Sequence, residues 1–201
     1  MLLLETIRVE DGQVFNLPYH QKRLNQTQKA LWQLATPSIQ LKDLIHTPPK
    51  EGLYRCRILY NQTLQSVEYL PYSPKEVKHI QIVTSSIDYT YKYAKRSSLD
   101  ALLLEQKEAD AVIIKKEGYL TDTTIANIAF YDGTKWYTPK RPLLQGTMRA
   151  KLLDENFLIP KKIKEEDLKH FKKVALMNAM IGFSILNSLS ITNTKGIIYD
   201  Y

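Results

Sequence analysis

The chain has 201 residues, 44% of them hydrophobic and 24% charged. That balance excludes an intrinsically disordered chain and suits one large domain or two small ones with real cores. Lys and Arg number 28 against 21 Asp and Glu, a formal charge of +7, which favours anionic ligands such as phosphates or carboxylates.

Residues 3–9 alternate enough for a strand, 10–13 read as a turn, and Val14 and Phe15 resume a second strand, giving a hairpin. Asn16 is placed to cap a helix over 18–34, with Pro18 in its first turn. Leu24, Leu31 and Leu34 share one face of that helix, and Pro37 ends the segment. A short helix over 39–45 stops before Pro48-Pro49. Strands follow over 53–60 and 67–70. The run from Pro71 through Pro74 to Glu76 is the best candidate linker. The expected organisation is a small N-terminal α/β domain over 1–73, a linker over 74–78, and a larger C-terminal α/β domain over 79–201 that carries Lys92.

The second domain opens with a strand over 80–83, and Ser97 or Ser98 caps a helix to about 107. Strands follow over 111–114, 119–121, 128–131 and 136–138, with Asp132-Gly133 as a hairpin turn. Gly146 opens a helix to about 155; 157–163 is extended and 165–171 helical. Strands over 173–177, 182–186 and 196–199 close the chain. There is no internal repeat.

Cys56 is the single cysteine, which excludes an intrachain disulfide and a cysteine metal site and suits a reducing compartment. His20, His46, His79 and His170 show no metal-ligand spacing. The N-terminal apolar run is too short for a signal peptide, and no run approaches membrane-spanning length. A soluble, cytoplasmic protein without a membrane partner is the expectation. The basic cluster at Lys161, Lys162 and Lys164 reads as a solvated face.

Lys92 lies in Tyr91-Lys92-Tyr93-Ala94-Lys95-Arg96. Desolvation and neighbouring cations would make it nucleophilic; otherwise it is a surface lysine. Asp122, among Thr121, Thr123 and Thr124, reads as a carboxylate kept ionised by hydroxyls and backbone amides, or as an Asx-turn at a strand end. An amine for a Schiff base and an acid for a pyridinium nitrogen are what pyridoxal phosphate (PLP) chemistry asks of a protein. In Gly146-Thr147-Met148-Arg149 a glycine turn leads into a helix. It either offers free backbone amides to a phosphate or is an ordinary connection. Arg149 is an anchor or a surface charge. Arg23 can grip a phosphate bidentately or face solvent from an amphipathic helix. Asn178 can offer an amide to an anion or sit at a turn. Arg55 and Arg57 alternate on one strand and share a face, fit to bind a substrate carboxylate or to pair with acids. There is no Walker motif, dinucleotide fingerprint or Gly-x-Ser-x-Gly.

The order of these groups resembles the class IV aminotransferases, the fold-type IV PLP enzymes. The residues that carry it are His20-Gln21-Lys22-Arg23-Leu24, Lys92, Gly118 through Asp122 to Asn127, Thr138-Pro139, and Gly146 to Arg149. The family pattern is His-x-x-Arg-Leu, a lysine, Gly-x-x-x-Glu-x-x-x-x-Asn, Thr-Pro and Gly-Ile-x-Arg. Here Asp122 replaces the glutamate, one methylene shorter, and Lys95 stands where asparagine is common. The resemblance implies an α/β (α+β), two-domain architecture with PLP between the domains, a first domain truncated by loss of its leading hairpin, and a homodimer. It implies that Lys92 holds PLP as a Schiff base. Arg23, Thr147, Met148 and the region of Asn178 would hold the phosphate, and Asp122, in the motif closed by Asn127, would face the pyridine nitrogen. The substrate would be a small amino-acid-like molecule.

Within the family, Met177-Asn178-Ala179-Met180 and the Gly146 motif look closest to enzymes that split 4-amino-4-deoxychorismate into 4-aminobenzoate, a folate precursor, and pyruvate. A transaminase of branched-chain or D-amino acids is the alternative. A non-catalytic anion- or nucleic-acid-binding protein on the same scaffold is a third reading. Scattered charge without aromatic–basic interleaving speaks against nucleic acid.

Overall fold

The structure is a computed structural model that describes residues 1–34 and 38–201. The backbone forms two compact units, Met1–Pro74 with Tyr91–Lys95, and Lys75–Thr90 with Arg96–Tyr201.

In the first unit, β1 (Leu3–Glu10), β2 (Gln13–Val14), β3 (Leu53–Tyr60) and β4 (Leu64–Pro71) form an antiparallel sheet in the order β2-β1-β3-β4. Successive strand side chains point to opposite faces, so register decides what meets. Leu3, Glu5, Ile7 and Val9 oppose Tyr60, Ile58, Cys56 and Tyr54. Leu3, Ile7, Cys56, Ile58 and Tyr60 are buried with Leu24 of α1 (Leu17–Trp32) and Leu41 in one core. Each such aliphatic side chain contributes about 1.5–3 kcal/mol by leaving water.

Pro18 sits in the first turn of α1, where its missing N–H is no loss. Asn16 occupies the N-cap position, but in the left-handed region with φ 58°, and its side chain makes no cap. Asparagine tolerates that conformation; the expected side-chain cap is absent, and the Asn16 carbonyl instead accepts the Tyr19 and His20 amides. The helix ends at Trp32, so Leu34 lies beyond it. Pro37, expected to end this segment, lies outside the described residues. The helix expected over 39–45 is a 3-10 turn, Leu41–Asp43.

The expectation that Lys92 belongs with the C-terminal domain is corrected here. Tyr91–Lys95 is part of the first unit, because its backbone extends the edge of β1. Leu4 N–H donates to Lys92 O at 2.9 Å, Ala94 N–H to Leu2 O at 3.0 Å, and Leu3 bridges Tyr93.

The second unit holds β5 (His79–Thr84), α2 (Ser97–Leu104), β6 (Ala111–Lys116), β7 (Tyr119–Thr123), β8 (Asn127–Tyr131), β9 (Trp136–Pro139), α3 (Thr147–Asp154), β10 (Leu158–Lys161), β11 (Lys173–Asn178), β12 (Gly182–Ile185), β13 (Ser190–Thr192) and β14 (Ile198–Asp200). They build two five-stranded sheets, β14-β13-β5-β6-β7 and β10-β9-β8-β11-β12. Ile80, Ile82, Ile113 and Leu120 from the first meet Ile128, Phe130, Val174 and Leu176 from the second in one core. The alternate residues of β8 and β11, Ala129, Ala175 and Met177, form a second cluster with Leu152 of α3. That cluster anchors α3 and so places its N-terminus.

Neither Ser97 nor Ser98 caps α2: Arg96 takes the N-cap position and Ser97 is already helical. Among the described residues, no helix is long and apolar enough to cross a membrane.

Candidate active site

In the first unit, the inward face of β1 carries one charged residue, Glu5. Its side chain is fully buried. Arg23, one turn after His20 on α1, donates from Nε at 2.9 Å to Oε1 and from Nη2 to Oε2, and His20 Nδ1 lies 2.6 Å from Oε2. Burial pushes the Glu5 carboxyl up, but the Arg23 guanidinium and the His20 hydrogen bond outweigh it and hold it at about 2. An ionised carboxylate only accepts, so His20 Nδ1 carries the proton and donates. Burial drives the His20 ring below its usual range, against the pull of Glu5, and the charges of Arg23 and Lys92 add to that depression. His20 is therefore a neutral donor near pH 7. Lys92 is half-buried, close enough for its ammonium to act on His20. Lys92, Arg23, His20 and Glu5 thus form one cluster.

In the second unit, Asp122 on β7 is buried. Its Oδ1 accepts from Asn127 Nδ2 at 2.7 Å and its Oδ2 from the Leu144 amide at 2.8 Å. Burial pushes it up to about 6, against the Leu144 and Asn127 hydrogen bonds and the Arg149 charge. The threonine hydroxyls expected to hold it do other work: Thr121 donates to Ile114 O, Thr123 to Ala126 O, and Thr124 Oγ1 accepts from Val112 N–H. Strand alternation and the turn geometry aim them at local backbone instead.

Asn127 also donates to Leu144 O at 2.9 Å, so it positions Asp122 and the turn before α3 together. Gly146, the N-cap of α3, explains its own identity here. A Cβ on it would lie 1.8 Å from Asn127 Oδ1. Its φ of −69° is ordinary, so close approach, not backbone freedom, demands glycine. Gly146 makes no side-chain cap at the start of α3, and the first turn of a helix presents backbone amides that have no partner within the helix. Thr147 is buried and Met148 half-buried.

Arg149 is not a surface charge. It is buried, and Nη2 donates to Pro139 O at 2.9 Å and Nη1 to Gln145 Oε1 at 3.3 Å. The Asn178 side chain is engaged in a turn: Oδ1 accepts from the Met180 and Ile181 amides, and Nδ2 donates to Ile125 O. Arg55 and Arg57 share a sheet face with Arg8 and Thr6, their register partners. That face is opposite the one carrying Glu5, so the structure does not bring them to the Lys92 cluster. Arg57 pairs with Glu68 at 3.4 Å.

Glu5 was missed by the sequence reading, though a signal was present. It is the only charged residue at the inward parity of a strand that otherwise buries Leu3, Ile7 and Val9.

A family profile described as "Amino-transferase class IV" matches residues 2–189. The chain belongs to the class IV aminotransferase family. A Haemophilus influenzae relative, named "Uncharacterized protein", is 36% identical over 90% of this chain and 98% of its own length. A crystal structure from Haemophilus somnus 129PT, described as a "putative 4-amino-4-deoxychorismate lyase", superposes with a TM-score of 0.80 at 35% identity, covering 90% of this chain and 97% of that one. A Schizosaccharomyces pombe protein named "Putative aminodeoxychorismate lyase" is 26% identical over 84% of this chain and 82% of its own.

Proposed function

We propose that the protein is a PLP-dependent lyase that converts 4-amino-4-deoxychorismate into 4-aminobenzoate and pyruvate, working as a homodimer. The observation that carries the reading is the cluster in the first unit: a lysine whose charge acts on His20, and a guanidinium that shares with His20 the buried carboxylate of Glu5. Each unit carries donors of the types PLP asks for. In the first, Lys92 has an amine suited to its aldehyde and Arg23 a guanidinium suited to its phosphate; in the second, the helix start at Thr147 and Met148 is of the kind that suits a phosphate, and Asp122 suits a ring nitrogen. When bound, PLP supplies an electron sink for negative charge at the substrate Cα. Glu5 and His20 hold Arg23 in place. Asp122, ionised near neutrality and pushed up by burial, gains from a cationic ring nitrogen beside it. Asn127 keeps that carboxylate aimed, and Asn178 shapes its own turn. The Lys92 amine is the base that would take the proton from the amine-bearing carbon. As that proton leaves, the neighbouring ring C–O bond would break and the enolpyruvyl group depart as enolpyruvate, which takes up a proton to become pyruvate; the ring left behind is aromatic, and that stability drives the elimination. The lyase names of the Haemophilus somnus and Schizosaccharomyces pombe relatives support this reading over transamination.

The purified protein mixed with PLP should show a yellow Schiff-base band, and borohydride should fix the cofactor's mass on the Lys92 peptide. Given 4-amino-4-deoxychorismate and no keto acid, it should release pyruvate. Turnover only when a branched-chain or D-amino acid and a keto acid are both present would make it a transaminase. A reducible band that survives in Lys92→Ala would reject Lys92 as the anchor.

A further inference from the structure

The second unit contains a cavity of about 230 Å³ lined by none of the residues assigned to PLP. Its inner wall is built from Leu120, Leu143 and Thr121, all buried, with Pro142 and the Tyr119 ring beside them. Four cations surround it, Lys116, Lys140, Arg141 and Lys162, against the single carboxylate of Glu117. Two of those cations are held in place. Lys116 Nζ donates to Ile87 O at 3.1 Å, and Lys162 Nζ lies 5.3 Å from the centre of the Tyr119 ring. Glu117 reaches Arg141 only at 3.8 Å, with both side chains largely exposed, so it neutralises little of the local charge.

We propose that this cavity binds a small aromatic carboxylate. An apolar cavity of about 150 Å³ accepts one benzene ring, so the volume here takes a ring with its carboxylate. The ring would cover Leu120, Pro142 and Leu143 and stack near Tyr119, while the carboxylate meets the cations at the mouth. Inorganic phosphate would leave the apolar wall wet, and a neutral ring would leave the cations uncompensated. Leu143 precedes Leu144, whose amide donates to Asp122, and Thr121 precedes Asp122 itself. Occupancy should therefore be visible at the Leu144 amide.

The test is an amide NMR titration of the full chain, without added PLP, using benzoate, benzamide and inorganic phosphate as probes. Benzoate should saturate, with shifts at Thr121, Leu143 and Leu144, and both other probes should bind at least about tenfold more weakly. Thr90→Trp, which fills the mouth from an exposed position, and Lys116→Glu, which reverses a rim charge, should each weaken benzoate about tenfold while keeping the dispersed spectrum of a folded chain. No saturation by roughly 10 mM benzoate would overturn the proposal, as would unchanged affinity in both variants. So would shifts centred on Arg23 and Lys92, which would place the benzoate with the proposed cofactor ligands. Neither the expected result nor these failures depend on lyase activity.

Discussion

Glu5 and Asp122 are both buried carboxylates with strong hydrogen bonds, yet they are displaced in opposite directions. Glu5 is held at about 2 and Asp122 is pushed up to about 6. Depth of burial does not separate them, since both are buried. The difference is charge in direct contact: Arg23 bonds Glu5 through two nitrogens, whereas the donors to Asp122 are a side-chain amide and a backbone N–H. A full cation at hydrogen-bond distance overcomes desolvation, and neutral dipoles alone do not. The first unit therefore keeps a closed ion pair. The second keeps an acid whose charge would be stabilised by an added cation.

The largest expected effect comes from breaking the closed pair. Glu5→Gln leaves a mostly buried guanidinium without its counter-ion and turns an amide N–H toward a donor, so we expect a loss of about 3–5 kcal/mol in denaturant unfolding. The acid dependence has a definite sign. Because Glu5 is lowered in the folded state, its contribution is complete above about 4.5 and is lost as pH falls toward about 2. The wild-type advantage over Glu5→Gln should shrink across that window. A constant difference down to the bottom of it would mean that the residue acts by packing rather than by charge.

The next effect tests what holds Asp122. Gly146→Ala would press a methyl onto Asn127 Oδ1, and Asn127 cannot retreat without losing its bonds to Asp122 and Leu144. We expect about 2–3 kcal/mol of destabilisation. Combining it with Asn127→Gly should restore part of that loss, and additive losses would contradict the contact. Asp122→Asn comes third and appears as a pH dependence. Asp122 is raised in the folded state, so its contribution is present below about 3.8 and is lost as pH rises through about 6. The variant should gain on the wild type across that interval, measured by thermal unfolding without PLP. A flat difference would show that Asp122 is not the proton-binding group.

Much of this was legible in the chain and some was not, for reasons visible in particular residues. The strand at 53–60 has the bounds expected of it, because alternation and turn signals on both sides are local information. Asp132 behaves as a turn residue should, accepting from Thr134 and Lys135. Non-local facts were harder to read. Lys92 joins the first unit through pairing with β1, some ninety residues upstream. β13 is three residues long and exists through parallel pairing with β5. The hydroxyls around Asp122 looked like its ligands because sequence proximity hides direction. Arg149 looked exposable because nothing adjacent foretells a carbonyl from Pro139.

The smallest effect supplies the exposed counterpart of the Glu5 pair. Arg57 and Glu68 face each other across β3 and β4 at 3.4 Å, with side chains 32% and 47% exposed. The groups are the same as in the buried pair, but water already solvates both, so Arg57→Ala should change stability by at most about 0.5 kcal/mol. That near-neutrality makes Arg57 a clean probe of substrate binding. If Arg57 contacts a substrate carboxylate, the variant should keep its melting temperature while KM rises and kcat holds, since a uniformly bound contact is lost. If KM and kcat are both unchanged, the Arg57 face of the sheet takes no part in the reaction. A stability loss as large as that of Glu5→Gln would instead break the comparison, since contact charge without burial would then suffice.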